Sequence, residues 1–476
     1  MEKSRNQIIM EENYRLRDEV INKVSPTFCL AKWTQSTIYL WNGFTHSCHH
    51  PSAHKVDPTA VEQDPKALHN TPIKFVARAD MLKGVQTPEC GYCWNIENAG
   101  NDHLSDRTYK SISPWAMDVM PQVIDSGVGH QFNPTYVEIA FENTCNFKCT
   151  YCTADVSSKW MEEIERHGPY QLSQQTAHDI EWLKHTGRYA IKRDDYNPYV
   201  EAFWKWWPEL INSLKVFRIT GGEPLLSKHT WRVFDYLIEN PRPDLELAVN
   251  TNLCVPKKLI DKLVEYSNKL KGKVKTFDIY TSLEATGSAA EYIRYGLKYD
   301  EFVANVRYFL SNTDDQQRLH FMVAMNSLCV GTFKGFLDLI WTLRTEYNEN
   351  DAHNRIPMMI NYIRWPTYLS LRTLPAEIKA KYGEEWKAFV MAHTRNTSPN
   401  RAGRFYLEEI DQVERLVDFM NGSDDNRIKN MKDFFLYHEQ YDERRDTNFY
   451  EVFPELVPFY EDCRNVNDGH NINILS

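Results

Sequence analysis

The chain has 476 residues, 42% of them hydrophobic and 25% charged, with a formal net charge of −10. That length holds two or three domains with a sizeable core, and the composition is that of an ordinary globular protein. The acidic balance excludes a general nucleic-acid binder, which needs a basic face, and no run approaches the ~18 continuous apolar residues of a membrane span.

Residues 1–25 are polar and helix-prone, with Ile8, Ile9 and Met10 as a small apolar patch, which predicts an N-terminal helix or arm. No apolar stretch follows Met1 to Asn6, so no signal peptide is expected and the protein is expected to be cytoplasmic. In that compartment ten cysteines point to metal or redox chemistry rather than to disulfides. Cys29 opens a unit over 26–110. Residues 37–41 and 44–47 flank Asn42-Gly43, a type I′ hairpin signal, and Cys48 closes the second strand. Cys90-Gly91-Tyr92-Cys93 then forms a C-x2-C clip. Four thiolates, two on or beside a hairpin and two in a tight loop, make a complete tetrahedral or cubane site, and a zinc knuckle fits the same set. His46, His49, His50 and His54 crowd this region; with four cysteines completing the site, they are read as surface or hairpin polar groups.

Residues 111–134, with Pro114, Pro121, Gly127, Gly129 and Pro134, are expected to be an irregular connector. A strand at 136–141 starts a βα series, and the loop leaving it carries Cys145, Cys149 and Cys152 in a C-x3-C-x2-C run. Three thiolates hold one corner of a cubane cluster and leave one iron open; a structural zinc loop or three reduced core cysteines are the plainer alternatives. A helix is expected over 174–186, and an aromatic-rich helix over 203–211. The strand at 216–220 runs into Gly221-Gly222-Glu223-Pro224. There two glycines let the backbone approach a ligand, Pro224 stiffens the exit, and Glu223 can accept from an ammonium group. Strands at 245–249, 277–283, 320–325 and 358–363 follow between amphipathic helices, the pattern of a mostly parallel sheet. From 373 to 476 the chain reads as helical, over 375–389, 405–420 and 428–437, with a docking tail at 454–459.

The three-cysteine loop and the Gly-Gly-Glu-Pro turn, in this order and context, resemble the radical S-adenosylmethionine (radical SAM) superfamily. The resemblance implies an α/β fold, a partial (β/α)6 barrel over 135–372 with its chemistry at the C-terminal strand ends. It implies that Cys145, Cys149 and Cys152 hold a 4Fe–4S cluster whose open iron binds S-adenosylmethionine. The peptide at Tyr151 would then sit against adenine, and Gly221, Gly222, Glu223 and Pro224 would hold the methionine end. Asn250, Ser282 and Asn326 fall at strand ends where the family faces the cofactor. Glu284 replaces the aspartate of the family's S-x-D-G strand end, and Arg294 resembles the arginine that pairs with the cofactor carboxylate. Cys29, Gly43, Cys48, Cys90 and Cys93, followed by Glu97, Ser105 and Arg107, resemble the twitch domain, the shortened SPASM domain. It is a small unit of β-hairpin plus helix with one auxiliary 4Fe–4S cluster, here placed before the barrel as in the N-terminal-twitch subgroup.

The implied activity is reductive cleavage of S-adenosylmethionine to a 5′-deoxyadenosyl radical and abstraction of a substrate hydrogen. Electron transfer to the auxiliary cluster would complete a two-electron oxidation of the oxidoreductase or maturase type. The implied substrate is a peptide or protein side chain or a sugar-type alcohol, and the implied electron donor is a flavodoxin or ferredoxin. Cys254, Cys329 and Cys463 are candidate proton acceptors near substrate or ordinary buried cysteines. The competing class is a non-enzymatic zinc or iron–sulfur redox or assembly module, which has no need of the Gly-Gly-Glu-Pro loop.

Overall fold

The protein is described by a computed structural model over residues 5–100, 103–173 and 178–469, with side chains from residue 8 onward. Its strands are β1 (Gln35–Tyr39), β2 (Phe44–His46), β3 (His54–Lys55), β4 (Tyr136–Ala140), β5 (Lys148–Cys149), β6 (Val216–Thr220), β7 (Arg242–Asn250), β8 (Val274–Ser282), β9 (Arg294–Tyr295), β10 (Leu319–Met325) and β11 (Met358–Tyr362). It is a mixed α/β fold built on a large, mainly parallel sheet. By internal contacts the chain divides into two compact units, residues 1–142, 190–221 and 242–248, and residues 143–189, 222–241 and 249–476.

In the first unit the strand order is β3-β2-β1-β4-β6-β7. β4 is parallel to both β1 and β6, while β1, β2 and β3 form an antiparallel meander. Val137 and Ile139 of β4 and Phe217 and Ile219 of β6 are fully buried, the alternation expected of strands with one face in a core. Phe217 meets Phe203 and Trp207 of the helix Pro198–Ser213, the aromatic-rich helix expected near 203–211. Asn197 caps that helix by accepting from the Tyr199 and Val200 N–H groups, and Pro198 supplies a first residue that needs no hydrogen bond.

Two expectations are corrected here. The hairpin does not turn through a two-residue type I′ loop: Tyr39 pairs with Phe44, so residues 40–43 form a four-residue turn, and Asn42 does not share the positive φ of Gly43 (+70°). The cause is tertiary. Leu40 donates its N–H to Ala140, and Leu40 and Trp41 are buried, which takes both residues out of the second ladder. The connector is also less irregular than expected, with short helices at Pro114–Met117 and Met120–Ser126. Ala116, Met120 and Val123 there join Phe28 and Trp33 in one apolar cluster.

In the second unit β8, β10 and β11 lie side by side in parallel, and β5 pairs with β9 as a separate antiparallel ladder. Ile279, Leu319, Phe321 and Val323 are buried on one face of that sheet, where Phe321 meets Phe302 and Phe336 of the covering helices Tyr299–Asn312 and Phe333–Tyr347. The helix expected over 174–186 is seen as Ile180–His185, and 174–177 lie outside the described residues. Beyond 373 the chain forms the helices Phe449–Val452 and Val457–Asn467, the second starting within the tail expected at 454–459, besides Ala376–Ala392, Leu407–Met420 and Arg427–Arg445. The last runs two turns beyond the expected end because Phe434, His438, Tyr441 and Arg445, at i, i+4, i+7 and i+11, form one buried stripe. No helix among the described residues is long and apolar enough to cross a membrane.

Candidate functional site

The loop bearing Cys145, Cys149 and Cys152 is held chiefly through its backbone, while Cys145 Sγ accepts from Phe147 N–H (3.4 Å). Cys145 donates its N–H to Ser158 Oγ (3.1 Å), and Trp160 Nε1 donates to the Cys149 carbonyl (2.9 Å). Ser157 caps the helix Ser158–His167 by accepting from Trp160 N–H and donates its own hydroxyl to the Phe147 carbonyl (2.8 Å). On the other side Cys149 pairs with Arg294 in the β5–β9 ladder, and Thr150 N–H donates to the Ile293 carbonyl (2.8 Å). All three cysteines are free and half-buried. Burial raises each thiol above its ordinary value, Cys145 to about 12, so without a metal the set stays protonated. Three disulfide-free thiols whose backbone is already committed fit a soft metal centre.

Gly-Gly-Glu-Pro meets the loop residues just before Cys145. Gly221 has φ +136°, and a Cβ there would lie 2.8 Å from the Glu142 carbonyl oxygen. At Gly222 a Cβ would overlap the Thr144 carbonyl oxygen and lie 2.5 Å from that of Asn143. Only glycine lets the two stretches of backbone touch. Glu223 N–H then donates to the Thr144 carbonyl (2.7 Å). Its buried carboxylate accepts from Leu225 N–H (3.0 Å) and Asn252 N–H (2.7 Å). The Glu223 oxygens are thus engaged by backbone within the loops, in addition to the ammonium-accepting role expected from sequence. Burial pushes the Glu223 carboxyl up to about 7, against the lowering effect of its hydrogen bonds. Asn252 also donates to Asn146 Oδ1 (2.8 Å), and Asn146 donates to the Cys254 carbonyl (2.8 Å). Residues 143–146, 222–225 and 251–254 therefore form one hydrogen-bonded knot. Within it Leu253 has φ +53°, a conformation uncommon for a non-glycine residue.

Arg294 is buried and grips Glu284, fully buried, with two hydrogen bonds (Nε–Oε1 2.9 Å, Nη2–Oε2 2.5 Å). Tyr151 donates to the same carboxylate (3.3 Å), and the Arg294 guanidinium lies over its ring. The remaining Arg294 nitrogen points to Cys149 Sγ at 3.9 Å. Asn250 and Ser282 are half-buried at the ends of β7 and β8. Pro224 is buried and opens the turn Pro224–Leu226. Asn326, fully buried, folds back on its own strand end, donating to the Ala324 carbonyl and accepting from Leu328 N–H. Of the three remaining cysteines, Cys329 and Cys463 are fully buried, whereas Cys254 is half-buried beside Asn146.

The structure adds a support that sequence reasoning did not find. Glu163 receives Lys148 (2.5 Å), Tyr170 (2.8 Å) and both sides of the Arg445 fork (2.9 and 3.1 Å). Arg445 also lies over the rings of Trp160 and Tyr441, and Tyr437 donates to the Thr150 carbonyl (3.0 Å). The helix Arg427–Arg445 thereby clamps the cysteine loop from a distance of nearly 300 residues in sequence, which no local pattern signals.

In the first unit Cys29, Cys48, Cys90 and Cys93 line one small cavity. Arg107 makes two bonds to Glu97 (2.8 and 3.0 Å) and one to the Phe28 carbonyl (2.8 Å), and Ser105 also donates to Glu97. That trio ties the clip to the chain at Cys29. His50, which lines the cavity, is held by Asp106 (2.7 Å) and stacked on Tyr92 (3.8 Å). His54 bonds Thr71, and His46 bonds the Cys48 carbonyl. Burial raises the Cys29 thiol to about 12 and those of Cys48 and Cys93 to about 11. The donor set suits thiophilic metal, as iron–sulfur or as zinc. Among the described residues no three or more His, Cys, Asp or Glu side chains are gathered into a ready site for a metal ion.

Residues 139–340 match the Radical SAM superfamily. The chain is also 31% identical over 136 residues to a GTP 3′,8-cyclase of Nautilia profundicola (strain ATCC BAA-1463 / DSM 18972 / AmH), a match covering 29% of this chain and 31% of that protein. The chain thus aligns with about a third of that relative's length.

Proposed function

We propose that this chain, in which residues 139–340 form a radical SAM domain, is an enzyme that oxidises its substrate by two electrons. Cys145, Cys149 and Cys152 would ligate the 4Fe–4S cluster that the family implies. When bound, that cluster and S-adenosylmethionine supply a 5′-deoxyadenosyl radical that takes a hydrogen atom from the substrate. The observation that carries this reading is the contact of Gly222 and Glu223 with the backbone of Asn143 and Thr144, which joins the two motifs in one site. A structural zinc loop has no use for that approach.

The residues around the loop have definable tasks in this reading. Gly221 and Gly222 let the turn lie directly against the backbone of residues 142–144, beside which the methionine end would be held, and Glu223 fixes the Asn252 loop while offering its free lone pairs to an ammonium group. Tyr151 is pinned by Glu284, so its peptide presents a fixed edge to the adenine. Arg294, neutralised by Glu284, turns one N–H toward the Cys149 sulfur, where a charge-assisted hydrogen bond stabilises the thiolate. Cys29, Cys48, Cys90 and Cys93 would hold a second 4Fe–4S cluster, the destination of the electron left on the substrate. The substrate is a peptide side chain or a sugar-type alcohol, and a flavodoxin or ferredoxin supplies the initial electron. The architecture is read as a partial six-stranded βα barrel carrying an N-terminal twitch-type unit.

Anaerobic iron and sulfide analysis tests this directly. Two cubanes require about eight irons per chain, and replacing either cysteine set with alanine should leave about four. Formation of 5′-deoxyadenosine under dithionite should depend on Cys145, Cys149 and Cys152. Zinc at one of the two sites after anaerobic purification, or no 5′-deoxyadenosine, would sink the proposal.

A further inference from the structure

Four cationic side chains are buried near the four-cysteine cavity, and they fall into two classes. Lys32 is paired with Glu89 and Arg107 with Glu97. Lys74 and Arg78 have no carboxylate partner among the described residues. Lys74 is 1% exposed, and its ammonium meets only Ser36 Oγ (3.0 Å), Thr45 Oγ1 (3.4 Å) and His69 Nδ1 (3.3 Å). Arg78 is 0% exposed; its guanidinium donates to the Lys32 carbonyl (3.0 Å) and Asn70 Oδ1 (3.1 Å) and lies over the Trp33 and Phe75 rings, while His69 Nε2 donates to the Trp33 carbonyl (2.8 Å), which leaves Nδ1 to accept from Lys74. Two buried cations held by neutral acceptors are rare, because lysine and arginine are almost never fully buried unless an anion compensates them.

Both cations stand on a helix that reaches the cysteine cavity. Lys74, Arg78 and Met81 sit at i, i+4 and i+7 on the helix Pro72–Leu82, and Met81 lines the cysteine cavity. Arg78 holds the backbone of Lys32, another lining residue. The anionic groups that bear on Lys74 are Glu89, already committed to Lys32, and the Cys48 thiolate. With the cavity's thiols protonated, burial pushes the Lys74 ammonium well below its ordinary value, and Arg78 and Lys32 push it in the same direction.

We propose that Lys74 and Arg78 are the cationic half of the four-cysteine site: they offset the negative charge of the iron–sulfur group it holds and make that group easier to reduce. The inference rests on the second cluster proposed above, and supplies the property an electron acceptor needs. A cubane with four thiolate ligands is net negative, each added electron deepens that charge, and net charge and burial are main determinants of its potential. A fixed positive charge nearby favours the reduced form.

The test uses the full-length chain with Cys145, Cys149 and Cys152 replaced by alanine, so that one cluster remains, reconstituted with iron and sulfide. An electron paramagnetic resonance titration reads its midpoint potential in this parent, in Lys74→Met and in Lys74→Arg. Lys74→Met should disfavour reduction at least tenfold, a downward shift of about 59 mV for one electron, and Lys74→Arg should stay near the parent. Cluster loss in Lys74→Met with retention in Lys74→Arg supports the same conclusion, since charge and not shape is then required. An intact cluster with parental midpoint in Lys74→Met overturns the inference alone, and loss in both variants overturns it too. Absence of any cluster in the parent overturns the second-cluster reading and this inference with it.

Discussion

At Gly222 the requirement on the residue is steric and absolute. A methyl group would meet two carbonyl oxygens of the cysteine loop, both of them backbone that cannot rotate away. Gly222→Ala should therefore displace the loop, and S-adenosylmethionine cleavage should fall by about a hundredfold or more, the scale of losses from ~1 Å misplacement. Circular dichroism should remain that of the folded protein; parental turnover in a folded variant would refute the close approach. Glu223 supports a prediction about pH. Its folded value near 7 exceeds the ordinary 4.5, so the native state holds this proton more tightly than the unfolded chain. The contribution to stability is full below pH 4.5 and is lost as pH rises to about 7, amounting to about 3 kcal/mol. Denaturation across this window measures it as a fall in the stability of wild type relative to Glu223→Gln, which carries no titrating group there. A constant difference would mean that Glu223 is ionised throughout.

Among the elements, the helix Arg427–Arg445 supports the cysteine loop at a distance. Arg445→Met strips the bidentate partner from a buried Glu163, a loss of about 3–5 kcal/mol when nothing replaces it and less here because Lys148 remains. The expected result is faster amide exchange in residues 145–152 and faster iron loss from the three-cysteine site, with little change at the four-cysteine site. Equal iron retention would show the clamp to be idle. This element also marks what is legible in the sequence. The six main strands are legible because each is a short apolar run bounded by turn residues, and helices cover one face of β8 and β10. The site motifs are legible for a related reason: cysteine spacing and paired glycines are local. The Arg445–Glu163 contact, the burial of Lys74 and the four-residue turn at residues 40–43 are set by partners remote in sequence. Composition makes Lys74 and Arg445 look like surface residues, and Asn42-Gly43 looks like a tight turn until the pairing of Leu40 with Ala140 is known.

Taken as a whole molecule, the chain carries two sets of cysteines, each within its own compact unit. A variant with Cys90 and Cys93 replaced by alanine should still cleave S-adenosylmethionine, because every residue of the knot at 143–146, 222–225 and 251–254 is intact. It should fail to give oxidised product, since the electron remaining on the substrate has lost its destination. Retained core-cluster absorbance must accompany the result, because a site that closes a hairpin onto a distant clip also contributes to folding. Oxidised product at the parental rate would make the four-cysteine site structural. The parallel ladder of β1 on β4, from Gln35 against Tyr136 to Tyr39 against Ala140, bears on how such experiments are designed and on how this protein arose. A shortened chain beginning near residue 135 would bare one whole edge of the five-residue strand β4, with the N–H and C=O groups of alternate residues left unpaired. Such an edge recruits other chains, so the fragment should aggregate rather than fold as a soluble core. The N-terminal cysteine unit is consequently no detachable accessory. It was gained, or can be lost, only together with a new neighbour for that strand.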